Sequence, residues 1–420
     1  MSKKLSLIRT PGFAWLWGGQ TLSTFGSQIS GIAAAYIAVT ILNATPFQMG
    51  VLNAASTACF LLVGLVAGAW VDRLVKRKVM IVADIVRMIG IGLIPLLWAI
   101  GVLNIWQVII IEFVIGLATV FFDVAYQSFV PVLLPSDQIA AGNSALETTN
   151  QTAGIAGPGL VGWLLTFLRA PLLLIIDALS YAASAVTLMF IKDTEVPKPK
   201  EERRPLHIEI REGLSFVVRH PLIRRISATT SVGNLFGSMM FSIFPFIFFD
   251  ASELGYSPAL FGLLGSAAAI GSLFGAVATT RLIKWIGEGT LISISAVVMG
   301  VTMLLVPLAI SLHNELTIPI MLVMEVVNGF LVLTYNITQV SARQRLCPPE
   351  LLGRMNASIR FFVWGVMPIG AVVGGTIAEL TTPLTAVVVG ASGALFASAF
   401  VLFSPLTRMK KLPDGPSEAL

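Results

Sequence analysis

Twelve long apolar runs, each about the length of a membrane-crossing helix, leave this chain few ways to fold. They fall at about 13–41, 47–71, 79–101, 105–130, 141–168 and 171–191, then at about 223–249, 257–280, 289–311, 316–340, 357–380 and 383–407. A spanning helix needs roughly 20 mostly apolar residues. Hydrocarbon offers the backbone no hydrogen-bond partner, so only helices and closed barrels cross it. A barrel would show short segments of alternating polarity, whereas these runs are long and continuous. The pattern predicts an all-α integral membrane protein with twelve transmembrane helices. Composition agrees: of 420 residues 56% are hydrophobic and 12% charged, about half the roughly 25% charge of a soluble domain.

The 27 Lys and Arg residues set the topology. Lys3, Lys4 and Arg9 precede the first run, and Arg73, Lys76, Arg77 and Lys78 join the second to the third. Lys192, Lys198, Arg203, Arg204, Arg211, Arg224 and Arg225 crowd the centre. Arg281 and Lys284 follow the eighth run, Arg343, Arg345 and Arg354 the tenth, and Arg408, Lys410 and Lys411 the twelfth. The opposite loops hold only Arg169. Positive residues stay inside, so both termini are expected in the cytoplasm. The net charge of +5 then reflects topology, and nucleic acid is not an expected partner; the lipid bilayer is. Cys59 lies in an apolar run and Cys347 in a basic loop, so no disulfide is expected. The first run is long and shows no small-residue cleavage site, so no cleavable leader is expected.

The chain from the fourth run onward matches the chain from the tenth run onward at a fixed offset of 213. Glu112 falls on Glu325, Gly116 on Gly329, Pro135 on Pro348, Asp137 on Glu350, Asn143 on Asn356, Gly157 on Gly370 and Gly162 on Gly375, with Asp123 on Asn336 a near match. The expected organisation is a six-helix bundle at 1–191, a cytoplasmic linker at 192–222, a second six-helix bundle at 223–407 and a cytoplasmic tail at 408–420. Parallel repeats of this kind place a substrate site near the midplane at their interface. Two halves in one chain already enclose a path, so a monomer is expected. Within the linker, 208–218 reads either as a short amphipathic helix on the inner membrane surface or as a solvated connector.

The loop after the second run, Gly68-Ala69-Trp70-Val71-Asp72-Arg73-Leu74-Val75-Lys76-Arg77-Lys78, resembles the Gly-x-x-x-Asp-Arg-x-x-(Arg/Lys)-Arg-(Arg/Lys) motif of the major facilitator superfamily. In that family the cluster is a cytoplasmic latch between conformations, and the resemblance implies that role for Gly68, Asp72, Arg73, Lys76, Arg77 and Lys78, with Asp84 and Arg87 as a supporting pair. The counterpart after the eighth run is degraded, with Thr279 at the aspartate position. Gly154, Gly157, Pro158 and Gly162 resemble the Gly-Pro motif of the family's antiporters, with Ala153 where a further glycine is common; generic helix packing is the plainer reading. Pro348-Pro349-Glu350-Leu351-Leu352-Gly353-Arg354-Met355-Asn356 and Pro135-Ser136-Asp137 are similar to the efflux subgroup that holds macrolide exporters and the enterobactin exporter. That resemblance implies the major facilitator fold, a place in the cytoplasmic membrane, and proton-driven export of a bulky amphiphilic substrate. One departure is Gly26-Ser27, where relatives often have Gly-Asp.

Ionisable groups within a span are costly and are functional candidates by default. A carrier driven by protons needs an intramembrane carboxyl that loads and releases one. Glu112 and Glu325, as repeat mates, are the first candidates for proton coupling or substrate binding, with Asp123 next. Their plainer reading is solvation near the outer face. Asp177 ranks last. Gln20, Ser23, Ser27, Gln28 and Asn234 are weaker cavity-lining candidates, as are Phe236, Phe244 and Trp364. His207, His220 and His313 lie outside the runs, which excludes a histidine relay. There is no phosphate-binding Gly-x-x-x-x-Gly-Lys-(Ser/Thr) loop and no Cys/His pattern with metal spacing. No enzyme activity, cofactor or metal is expected. Three functions stay open: a proton-coupled drug or macrolide-like exporter, a dedicated siderophore, metabolite or lysophospholipid carrier, and a transport-inactive receptor or scaffold.

Overall fold

The computed structural model describes residues 10–71, 74–135, 138–192, 206–348 and 351–413. Every regular element among them is helical. The chain packs as two compact units, Met1–Ala44 with Ala55–Arg203, and Thr45–Ala54 with Arg204–Leu420.

The N-terminal half is carried by α1 (Pro11–Thr40), α2 (Pro46–Val71), α3 (Lys76–Ala99), α4 (Ile105–Leu133), α5 (Ile139–Leu164) and α6 (Ala170–Met189). Local chemistry sets several of their starts. Proline stands in the first turn of α1 and of α6, where the missing N–H costs nothing. Asn104 and Gln107 form a reciprocal capping box at the head of α4, which satisfies two otherwise orphaned donors. Within the first unit α1 packs on α6 and α5, and α3 packs on α6 and α4. Phe13, Leu16, Met80, Phe122 and Phe129 form its large buried core.

The second half begins with α7 (Leu206–Arg219) and continues through α8 (Pro221–Phe241), α9 (Phe244–Phe249), α10 (Pro258–Ile286), α11 (Glu288–Met303), α12 (Leu305–Leu312), α13 (Thr317–Leu346), α14 (Leu352–Gly365), α15 (Met367–Leu380), α16 (Pro383–Ala397) and α17 (Ala399–Leu402). Several of these are pieces of one span: α8 with α9, α11 with α12, α14 with α15, and α16 with α17. Pro245, Pro307 and Pro368 stand just past three of the breaks, each removing one helical hydrogen bond.

Eleven helical stretches among the described residues are long and apolar enough to cross a membrane. The twelfth run expected from the sequence is present as α5, 26 residues long. It falls short in apolarity because its first half is polar: Asn143, Ser144, Glu147, Thr148, Asn150, Gln151 and Thr152 are all exposed on its surface.

The repeat is visible in the packing. A Cβ on Gly116 of α4 would come within 2.7 Å of the Ser56 carbonyl of α2, and one on its mate Gly329 of α13 within 1.9 Å of the Ala268 carbonyl of α10. Gly157 of α5 lies against Gln28 of α1 at 2.7 Å, and its mate Gly370 of α15 against the Leu235 carbonyl of α8 at 2.1 Å. Each pair of glycines serves the same helix pairing in its own unit, where the absent side chain lets backbones approach.

The second part of the linker segment is helical. It forms α7, which packs on α14 and leaves Ile208 and Val218 exposed. Val217 is buried, Glu212 pairs with Arg354, and a Cβ on Gly213 would stand 2.5 Å from the Arg354 carbonyl. Both cysteines are buried and free.

Candidate functional site

The first unit buries a compact set of ionisable groups where α3, α4 and α6 meet. Asp84 and Arg87, one helical turn apart on α3, form an ion pair with side chains almost fully enclosed. The Arg87 guanidinium lies over the Phe122 ring at 4.1 Å and the Tyr181 ring at 4.6 Å. Aromatic faces attract a desolvated cation, so two rings and one carboxylate hold it. Arg87 Nε has no partner among the described residues.

Asp177 of α6, ranked last from the sequence, is completely buried. Ser180 Oγ donates to its Oδ1 at 2.9 Å, and Ser30 Oγ of α1 donates to its other oxygen. Gly26 makes the seam possible, because a Cβ there would stand 2.4 Å from Asp177 Oδ1. The sequence did carry a signal, since Ser180 and Ser184 follow Asp177 at helical spacing on one face. Glu112 of α4 is half-buried and within electrostatic reach of Asp177. The Tyr181 hydroxyl feels Asp177, Arg87, Glu112 and Asp84 together. Arg87 is thus paired with Asp84 and within electrostatic reach of Asp177, while Glu112 is coupled to Asp177.

Glu325 sits apart, half-buried on α13 in the second unit, with no ion pair among the described residues. One turn later, Asn328 is buried with its Oδ1 unpartnered. Glu112 and Glu325 are the eighth and ninth residues of their helices, about 10–12 Å from the start of each. Asp123 is half-buried further along α4. It and Glu147 of α5 are both within electrostatic reach of the Tyr126 hydroxyl, and that hydroxyl is buried without a hydrogen bond among the described residues.

The motif residues divide. Asp72 and Arg73 lie outside the described residues. Gly68 falls near the end of α2, Lys76 opens α3, and Lys78 is exposed. Arg77 is a helix cap: its Nε donates to the Leu188 carbonyl at 2.8 Å and an Nη to Met189 at 2.6 Å. These are end carbonyls of α6, which have no intrahelical donor. In α5 Gly157 is a contact glycine, Pro158 and Gly162 lie in the helix interior, and Gly154 meets nothing within 4 Å. Of the polar candidates, Asn234 donates to the Val363 carbonyl at 2.9 Å, which commits it to packing α8 on α14. Gln28 covers Gly157, and the exposed Ser27 donates to the Thr24 carbonyl. Gln20 keeps a buried Oε1 without a partner.

A cavity of about 150 Å³ opens between α1 and α5, lined by Trp17, Thr21, Phe25, Ala145 and Thr148, with Thr149 and Thr152 beyond.

A family model described as transmembrane secretion effector matches residues 2–419. The chain belongs to this family of major facilitator transporters. Its members are transporters rather than enzymes. The multidrug efflux pump Tap of Mycolicibacterium fortuitum is 24% identical over 346 residues, covering 80% of this chain and 82% of Tap. Macrolide efflux protein A of Streptococcus pyogenes is 24% identical over 375 residues, covering 87% of this chain and 89% of that protein. Among solved structures, an aspartate-to-alanine variant of the nucleoside transporter NupG superposes with a TM-score of 0.73 at 14% identity, over 94% of this chain and all of that one. A bacterial homologue of the iron transporter ferroportin gives 0.71 at 15% identity, over 94% and 98%. These likenesses establish the major facilitator fold.

Proposed function

We propose that this transporter exports amphiphilic drugs or macrolide-like compounds across the plasma membrane by alternating access, driven by the proton gradient. The reading rests on relatives named for multidrug and macrolide efflux that match four fifths or more of the chain. The buried groups of the first unit support the energy source. Charge is tolerated inside a membrane protein only where it is paired or used; here Arg87 pairs with Asp84 and is within electrostatic reach of Asp177, and Glu112 lies near Asp177 without a cation of its own among the described residues. The surplus acids are where protons load and leave. Glu325 is the matching acid of the second half. Both termini lie in the cytoplasm, as the Lys and Arg asymmetry requires, and the working unit is the monomer.

Proteoliposomes with an imposed pH gradient test this. Wild-type protein should move a fluorescent drug outward while the gradient lasts and stop when a protonophore collapses it. Glu112→Gln, Asp177→Asn and Glu325→Gln should each lower gradient-driven flux at least tenfold. Flux that survives gradient collapse and ends on ATP depletion would overturn the coupling.

A further inference from the structure

We propose that Arg343, near the end of α13, is the cationic half of an anion-binding site that holds a compact oxyanionic group, a carboxylate or a phosphate, on its terminal nitrogens. The proposal goes beyond the export reading and does not depend on it.

Burial separates Arg343 from a basic residue that only marks topology. It is the 27th residue of the 30-residue α13, roughly 40 Å from the start of that helix at 1.5 Å per residue, which exceeds the roughly 30 Å of hydrocarbon. A topological charge at that level stands in water, as Arg345 does with 37% of its side chain exposed. Arg343 is only 8% exposed.

A buried charge is normally matched by a partner, and here none is present among the described residues. The Arg343 Nε is sealed without a hydrogen bond, and no carboxylate lies within ion-pair distance. Two acids of this unit are spent elsewhere, Glu288 on Arg345 and Glu212 on Arg354. The group within electrostatic reach of Arg343 is the neutral Tyr335 hydroxyl, which shares a hydrogen bond with Thr230 Oγ1 at 2.9 Å. The terminal nitrogens of Arg343 are likewise without a partner among the described residues, and unlike Nε they are not sealed. Such a fork matches a carboxylate or a phosphate through two parallel hydrogen bonds.

The repeat shows that helix packing does not require this cation. The offset of 213 carries Arg343 onto Val130, a buried apolar residue of α4, Gln339 onto Tyr126 and Asn336 onto Asp123. Asn336, Gln339 and Arg343 follow one another at three and four residues and share one face of α13. Gln339 Nε2 donates to Asn336 Oδ1 at 3.3 Å, so the exposed Asn336 amide keeps its own donors. Gln339 Oε1 is buried without a partner, an acceptor for a hydroxyl or N–H beside the acid group. Where the first unit carries an acid and an apolar residue, the second carries an amide and a cation. The stripe has changed sign, and a face that repels anions has become one that attracts them.

Thermal melting of the purified protein in a neutral detergent reads the site without transport. Sodium phosphate, sodium benzoate and phosphatidylglycerol are titrated separately, with sodium chloride at matched ionic strength as the screening control. Wild-type protein should show a saturable rise in melting temperature with at least one of them. A response to phosphate assigns a free anion, one confined to phosphatidylglycerol a lipid headgroup, and one confined to benzoate the acid end of an amphiphile. Arg343→Met should raise the half-saturating concentration at least tenfold. Arg343→Lys should raise it about three- to tenfold, since a point charge replaces the fork. Without anion, Arg343→Met should melt no lower than wild type, because no partner is stranded. Asn336→Asp restores the acid of the first unit at an exposed position, keeps the bond from Gln339, and should weaken binding at least tenfold. A wild-type protein that responds to none of the three would overturn the proposal, as would either Arg343→Met or Asn336→Asp titrating like wild type. So would an Arg343→Met protein that melts well below wild type in anion-free buffer, since the guanidinium would then serve a structural partner.

Discussion

The first and sixth spans of each half meet along a seam, and the two halves fill it in opposite ways. In the first unit Gly26 of α1 lies against Asp177 and Ser180 of α6, and Ser30 closes the polar cluster. In the second, the Phe236 ring of α8 lies against Gly393 of α16, where a Cβ would come within 2.1 Å of the ring, and Gly390 meets the Phe236 carbonyl and Met240. The offset of 213 carries Asp177 onto Gly390 and Ser180 onto Gly393. The repeat thus preserves which helices touch and not what fills the contact. A buried ion pair is rarely better for stability than apolar packing of the same volume, and the second unit demonstrates the apolar solution.

The sharpest way to break that contrast is to remove half of the ion pair. Asp84→Asn leaves Arg87 buried without its ion-pair partner and should cost about 3–5 kcal/mol, read as a lower melting temperature or loss of the monodisperse species in detergent. Asp84→Leu with Arg87→Met, which gives the first unit an apolar filling, should recover most of that stability. A double variant as unstable as the single one would contradict the comparison. Gly393→Val overpacks the opposite seam against Phe236 and should cost about 1–3 kcal/mol. Adding Phe236→Ala should return part of the loss, a coupling that a double-mutant cycle measures.

Smaller effects test the helix ends. Arg77→Ala removes two bonds from the end of α6 and should cost about 1–2 kcal/mol. Arg225→Ala removes one bond, to the Phe403 carbonyl at 3.1 Å, and should cost less. The smallest effect depends on pH. His220 caps α8 by accepting from the Ile223 N–H through Nδ1 at 3.3 Å, whereas the Thr10 side chain makes no such bond at α1. Burial holds the His220 imidazole below its ordinary value of 6.5. The folded protein therefore refuses a proton that the unfolded chain accepts. The contribution of the cap is whole above that ordinary value and is lost as pH falls toward the lowered one. His220→Asn retains a capping residue and should flatten this acid-side loss, by about 1 kcal/mol or less, in melting curves recorded across pH.

Much of the fold was legible because hydropathy is a coarse signal that tertiary packing seldom overrides. Eleven of the expected spans meet the length and apolarity of a membrane crossing, and α5 is the exception for a reason the sequence displays, its run of Asn, Ser, Glu, Thr and Gln. The repeat glycines were legible as pairs, although the backbones they admit were not. The site was harder to read. Asp177 and Glu112 differ little along the chain, and what separates them is supplied by Ser30, Gly26 and Arg87 from other helices. Arg77 resembled a latch residue by spacing, yet its two bonds depend on where α6 ends.

The broken spans have a mechanical consequence. A continuous helix resists bending along its whole length, whereas one interrupted at a proline or a back-bonded serine, as at Ser398, concentrates compliance at a joint. Four spans of the C-terminal half carry such joints, and none of the six helices α1–α6 is interrupted among the described residues. The prolines of the N-terminal half, Pro95, Pro131 and Pro158, lie inside helices that stay continuous, so its weak points fall within unbroken segments. The C-terminal half can change its curvature through small rotations at four hinges, with the helical segments on either side intact.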